Sequence, residues 1–335
     1  MNIEIQKLSF AGCPVMAHLS SLTARQTYTI ELKQGNTLLF SEKYEPYADT
    51  LHIDLAEAIA PHIGKPALAD SFPDVITPFD PQGHFTVSVG DVSADFYVLP
   101  GGTSLGNPAY ARWMASRIPA LISGYDGTLA HWYQSDLLPV YVLGGAPITV
   151  RTVNKTETYD LTPYLGQIVA LDLRAFEAGM SLYTLSQDGK TPLTIAIQQD
   201  PPAPVRGVVT YRNSFGVWER LTIRGKMEVS ESAAQDAETL KRYDTQSGLY
   251  TDRTMRAARK RQFKINTGYL HPEYYGVNIA DLLRSDEVYL KSEYCLQAVP
   301  FAVTCEDHLV YSSDDATTPR TLDIVFTELR ESRYI

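Results

Sequence analysis

Between Val208 and Val229 the chain reads VVTYRNSFGVWERLTIRGKMEV, and this stretch constrains the fold more than any other. Val209, Tyr211, Leu221, Ile223 and Met227 recur mainly at every second position, the period of a strand with one face buried. Between the two runs, Arg212-Asn213-Ser214-Phe215-Gly216 is a turn-forming cluster that can supply positive φ at Asn213 or Gly216. A long β-hairpin is expected, with Phe215 and Trp218 at its turn. Aromatics displayed on a rigid hairpin serve assembly more often than chemistry, so both are candidate contacts to another subunit.

At 335 residues the chain exceeds what one core usually supports, so two or three domains are expected. Tyrosine is the compositional outlier, with 21 against 11 phenylalanines. Its ring suits strands, and its hydroxyl suits wet interfaces. A formal net charge of −10 argues against nucleic acid as a partner, because phosphate binding needs a basic surface. No run approaches the roughly 20 apolar residues of a membrane span. The opening MNIEIQKLSF lacks the apolar core of a secretion signal, which points to synthesis in the cytoplasm. Cys13, Cys295 and Cys305 read as unpaired thiols of a reducing compartment, with a Cys295–Cys305 bridge as the alternative if their strands pair.

The spacing of β-patterned runs and turns predicts a mainly β protein of three parts: an N-terminal β-sandwich over 1–100, a second with a loop and helix insertion over 101–200, and a β-rich domain with one inserted helix over 205–335. Asp200-Pro201-Pro202-Ala203-Pro204 supplies the clearest linker. Asp54 is expected to cap a short helix from Leu55, with Glu57 completing a capping box. Trp113, Met114, Ile118 and Leu121 suggest a helix within Tyr110–Ile122. Residues 64–84 read as a long loop, and Glu231–Arg261 fits helix or strand. Thr50–Leu55 and Thr156–Leu161 echo one another, which raises the suspicion of an internal duplication.

Each motif that could carry chemistry has a structural reading that outweighs it. The basic run Arg253, Arg256, Arg259, Lys260, Arg261 and Lys264 reads as a solvated face offset by Glu228 and Glu231. Pro100-Gly101-Gly102 lacks the Gly-Lys-Ser/Thr of an anion loop and reads as a tight turn. Cys305-Glu306-Asp307-His308 lacks the ligand spacing of zinc, and Asp314-Asp315 lacks the glycine of a calcium loop. Cys13 with His18, His52, His62 or His84 lacks a nucleophile-elbow pattern. No catalytic residue, cofactor or metal is expected.

Three stretches together resemble the C-terminal half of tail or baseplate-associated structural proteins of phages and prophages of Bacteroidetes. These are Tyr211–Glu219, then Asn266–Leu270 with Asp281–Leu290, then the closing Asp323–Glu328. The Phe10-Ala11-Gly12-Cys13-Pro14 turn and the hairpin after it are similar to the N-terminal sandwich of that group, although Cys13 stands where asparagine is usual. The resemblance implies a non-enzymatic subunit of a virion or phage-like particle, whose partners are itself and other tail proteins. An alternative from another class is a glycan-binding or cell-surface-binding module, with Trp113, Trp132, Tyr133 and Tyr125 as a stacking platform.

Overall fold

The computed structural model describes residues 1–68, 74–79, 83–102, 118–122, 129–133, 139–173, 180–200, 207–223, 225–233, 239–254, 259–268, 279–292, 295–305 and 321–328. The chain is mainly β. It divides into two units, one of Met1–Pro202 with Arg212–Glu219, the other of Ala203–Tyr211 with Arg220–Ile335.

Alternating burial builds the first sandwich. Strands β1 (Asn2–Ile5), β3 (Met16–Ser20) and β6 (Thr50–Asp54) form one sheet in the order β1-β3-β6. Strands β2 (Leu8–Phe10), β4 (Tyr28–Gln34), β5 (Thr37–Tyr44), β8 (His84–Val89) and β9 (Val92–Leu99) form the other, ordered β2-β9-β8-β4-β5. Ala17, Leu19 and Ile53 from the first sheet share one core with Ile30, Leu32, Phe85, Val87, Phe96 and Val98 from the second. The β2–β9 pair is parallel and the remaining pairs are antiparallel. The β4–β5 hairpin turns on Gly35, at φ +55°.

The second sandwich repeats seven of these eight strands in the same order. Here β10 (Leu129–Tyr133), β12 (Ile148–Arg151), β13 (Thr156–Tyr159), β15 (Met180–Gln187) and β16 (Leu193–Asp200) are ordered β10-β16-β15-β12-β13, again with the first pair parallel. Opposite them in chain order come β11 (Pro139–Leu143) and β14 (Ile168–Asp172), an antiparallel pair in the place of β3 and β6. Seven strands therefore recur, and the order is that of an immunoglobulin-type sandwich.

The duplication is real in topology, but it does not align the sequence echo. Thr50–Asp54 is β6, whose counterpart is β14, whereas Thr156–Tyr159 is β13, whose counterpart is β5. What the two echoes share is local: Asp54 accepts the Ala56 N–H at 3.0 Å, and Asp160 accepts the Thr162 N–H at 2.9 Å. The helix α1 (Ala56–Ile59) has Leu55 at its N-cap, so the expected capping box is absent; Asp54 instead also accepts the Val15 N–H at 2.9 Å, pinning the approach to β3.

Residues 64–84 are more than a loop. Ile76–Pro78 forms β7, which pairs antiparallel with β14 and completes the order β11-β14-β7. Asp172 N–H to Val75 and Phe79 N–H to Ile168 extend the ladder at 2.9 and 3.0 Å. A strand preceding residue 100 thus belongs to the second sandwich, and the expected boundary at 100/101 does not separate two closed parts. The helix expected over Tyr110–Ile122 lies partly outside the described residues. Its described end is extended, with Ala120 bridged to Val142 and Leu121 N–H bonded to Tyr141 at 2.8 Å. Pro119 removes the N–H an interior helical turn would need.

In the second unit one sheet is ordered β18-β17-β23-β24-β25-β22-β19, from β17 (Gly207–Arg212), β18 (Trp218–Ile223), β19 (Met227–Ala233), β22 (Arg259–Asn266), β23 (Val288–Ser292), β24 (Cys295–Cys305) and β25 (Asp323–Glu328). In its described residues the segment that fits either helix or strand on sequence is β: β20 (Thr239–Asp244) and β21 (Leu249–Thr254) form a hairpin between β19 and β22 in the chain. The inserted helix is α2 (Ala280–Arg284), whose Leu282 joins Ile279 in a core with Tyr211, Phe263, Phe301, Ile324 and Phe326. Phe301 meets Phe263 and Phe326 edge-to-face, at 5.3 and 6.3 Å between centroids.

Cys295 and Cys305 are the two ends of β24. Ten residues of strand rise about 33 Å, several times the Cα separation a disulfide spans. The alternative of a bridge between them is therefore excluded. Thiol titration of the protein denatured without reductant is expected to count all three cysteines. A count of one, with the bridge mapped to Cys295 and Cys305, would overturn the strand assignment.

Candidate functional site

The residues that sequence reading singles out most strongly converge on one place in the first unit, and it is made of turns. Gly12, from the Phe10-Ala11-Gly12-Cys13-Pro14 turn, donates its N–H to Gly101 at 2.7 Å. Gly102 donates its N–H to Ser214 at 2.6 Å. The Pro100-Gly101-Gly102 strap therefore lies between the N-terminal turn and the turn Arg212–Val217. Pro100 has no N–H and the Gly102 N–H is held by a backbone acceptor, which is the pattern of a packed turn.

Glycine is required here for two separate reasons. Gly101 sits at φ +84°, and a Cβ on it would lie 2.2 Å from the Phe215 carbonyl carbon. Gly216 sits at φ +74°, and its Cβ would meet that of Pro100 at 2.7 Å. Positive φ disfavours any L side chain, and contact with fixed backbone leaves nothing to move aside. Of the two residues expected to supply positive φ in the hairpin turn, Gly216 does so and Asn213 does not.

Asn213 is buried and organises the turn through its amide. Its Oδ1 accepts the N–H groups of Phe215 and Val217 at 2.9 and 3.3 Å. Its Nδ2 donates to the Leu121 carbonyl at 3.1 Å and to Glu219 at 2.9 Å. The guanidinium of Arg212 donates to Gly216 at 3.0 Å and lies 4.1 Å over the Trp218 ring. Cys13 Sγ donates to Gly102 at 3.3 Å, a structural use of the thiol.

The two aromatics expected as subunit contacts are interior residues. Phe215 is 0% and Trp218 4% exposed. Phe215 packs on Phe10 at 6.0 Å between centroids, and Trp218 Nε1 donates to Pro66 at 3.0 Å. Residues 212–219 accordingly belong to the first unit and not to the C-terminal domain in which the sequence places them. An apolar ring ending in a satisfied N–H gains more from burial than from exposure at a tip. Neither residue is available to a second subunit.

The other candidates are dispersed. Trp113 and Tyr125 lie outside the described residues, as do Arg256, His271, His308 and Asp314-Asp315. The backbone of β10 places Trp132 and Tyr133 opposite Gln199 and Asp200. In the basic run, Arg261 closes on Glu328 through Nε–Oε2 and Nη2–Oε1 contacts of 2.7 and 3.2 Å. Lys264 faces Asp323 at 3.5 Å, and the register sets Glu228 and Glu231 opposite Lys264 and Arg261. Arg261 and Lys264, on opposite faces of β22, are thus each matched by acidic partners on neighbouring strands.

Two features escaped sequence reading. His18 and His52 face each other across β3 and β6, which no linear spacing signals. Lys190, in the β15–β16 turn, has its ammonium pushed down to about 8 by burial. Compared with known proteins, the sequence matches no family model and no curated protein.

Two outcomes are expected. Asn213→Ala removes four hydrogen bonds and leaves buried partners unmet, lowering stability by about 2–4 kcal/mol in chemical denaturation; Gly101→Ala is expected to cost at least as much. Because the folded pKa of Lys190 lies below its ordinary 10.5, the folded state disfavours the charge, and that penalty is present below about pH 8. It fades as pH rises from 8 to 10.5. The stability difference between Lys190→Met and the parent protein, measured by denaturation at pH 7 and pH 10, is expected to shrink at the higher pH.

Proposed function

We propose that this chain is a non-enzymatic structural subunit of a phage or phage-like tail assembly, made in the cytoplasm and joined through its β-sandwiches to copies of itself and to other particle proteins. One observation carries this reading. The polar and glycine residues with the look of a site are committed to holding backbone: the amides of Gly12 and Gly102, the Asn213 amide, the Arg212 guanidinium and the Cys13 thiol all have intrachain partners.

The contact surface of such a subunit lies away from the hairpin tip. Tyr47 is 96% and Val153 82% exposed, each on a connection between strands, and the outer strand β5 is exposed along most of its length. Open strand edges and apolar side chains on short turns are features that a second subunit can cover. The resemblance of Tyr211–Glu219 and the later stretches to tail proteins supports the same reading at the level of analogy.

Sedimentation over a wide concentration range is expected to show association above the mass of one chain. A strictly single-chain species at every concentration, with no particle protein recovered by affinity capture, would overturn the proposal.

A further inference from the structure

The sheet β1-β3-β6 carries a row of polar side chains across its exposed face. In register, Glu4 of β1 stands opposite His18 of β3, which stands opposite His52 of β6. All three are exposed. The two imidazoles meet edge-to-face with centroids 4.6 Å apart, and their Nδ1 atoms approach to 2.5 Å. One Nδ1 must carry a proton and the other a lone pair for this contact to attract. The strands below fix both Cα positions, so the pair is held together before any ligand arrives.

From this geometry we infer that His18 and His52 form a chelating site for a borderline divalent transition-metal ion, Zn²⁺, Ni²⁺ or Cu²⁺. Imidazole nitrogen suits these ions, with bonds of about 2.0–2.1 Å. Two such bonds meeting at a tetrahedral or square-planar angle set their nitrogens about 3 Å apart. The pair therefore has to open by about half an ångström, within the reach of small side-chain rotations. The ring that carries its proton on Nδ1 changes tautomer through solvent, losing that proton and taking one up on Nε2, so it stays neutral and the second Nδ1 lone pair becomes available.

Among the described residues no three His, Cys, Asp or Glu side chains are gathered to hold an ion. The described residues accordingly supply two donors, and water completes the shell on the open face. The Glu4 carboxylate, which accepts from Asn2 Nδ2 at 3.2 Å, adds negative charge to the row and favours a dication beside it.

The test is calorimetric titration of the untagged full chain with Zn²⁺ and with Ni²⁺. One equivalent is expected to bind tightly. His18→Ala and His52→Ala are each expected to weaken that binding by about tenfold or more. His84→Ala, whose ring stacks on Tyr97 elsewhere in the unit, is expected to leave it unchanged. Both sites are on the surface, so circular dichroism without metal should be the same for all variants. Equal affinity in the parent and in His18→Ala/His52→Ala, or no binding by either, would overturn the site and leave a hydrogen-bonded histidine pair only.

Discussion

Three turns that are far apart in the chain lock together through their backbones, and the first unit depends on that contact. Gly12 bonds to Gly101, and Gly102 bonds to Ser214, both at 2.7 Å or less. Backbones approach this closely only where side chains are missing, and glycine supplies that at Gly101 and Gly216. The buried peptide groups of the junction cannot turn to water, so each needs a partner within the chain. Asn213 completes the accounting by taking four partners with one amide. The junction is also highly nonlocal, since it closes only once residues near 12, 101 and 215 are all present. Such contacts reward the chain late in folding, after the loop-closure entropy has been met.

The doubled sandwich shows how one strand plan tolerates different local chemistry. Seven strands recur in the same order and sense, including a parallel first pair in each five-stranded sheet. The three-stranded sheets differ in their third member. In the first sandwich β1 pairs with β3; in the second β7 pairs with β14. An edge left open on β14, whose five residues are all buried, would expose unpaired peptide groups, and the short Ile76–Pro78 strand covers it. Burial of β14 on both faces also explains its unbroken apolar run.

The same physics bears on function. Residue types common in sites also hold tight turns, because glycine, asparagine and cysteine bring permissive backbones and short polar side chains. Here the junction uses Gly12, Gly101, Gly102, Gly216, Asn213 and Cys13 in this way. Among the described residues, outward features include the edge strand β5, the apolar side chains of Tyr47 and Val153, and the His18–His52 pair.

Period-two patterning made the β class and most strands legible, since alternation follows directly from one buried face. The uses of the residues were not. Phe215 and Trp218 read as a displayed tip because a turn between strands is usually at the surface, and only the packing of Phe10 and the Pro66 carbonyl shows that this turn is interior. The Thr50 and Thr156 echoes suggested duplication at a register the sheets do not follow. The amino-acid sequence by itself determined the strands and their turns, which are settled by neighbours a few residues away. Which strands pair, which turns are buried and which histidines meet were decided by tertiary structure, because those contacts join residues tens to hundreds of positions apart and leave no local pattern.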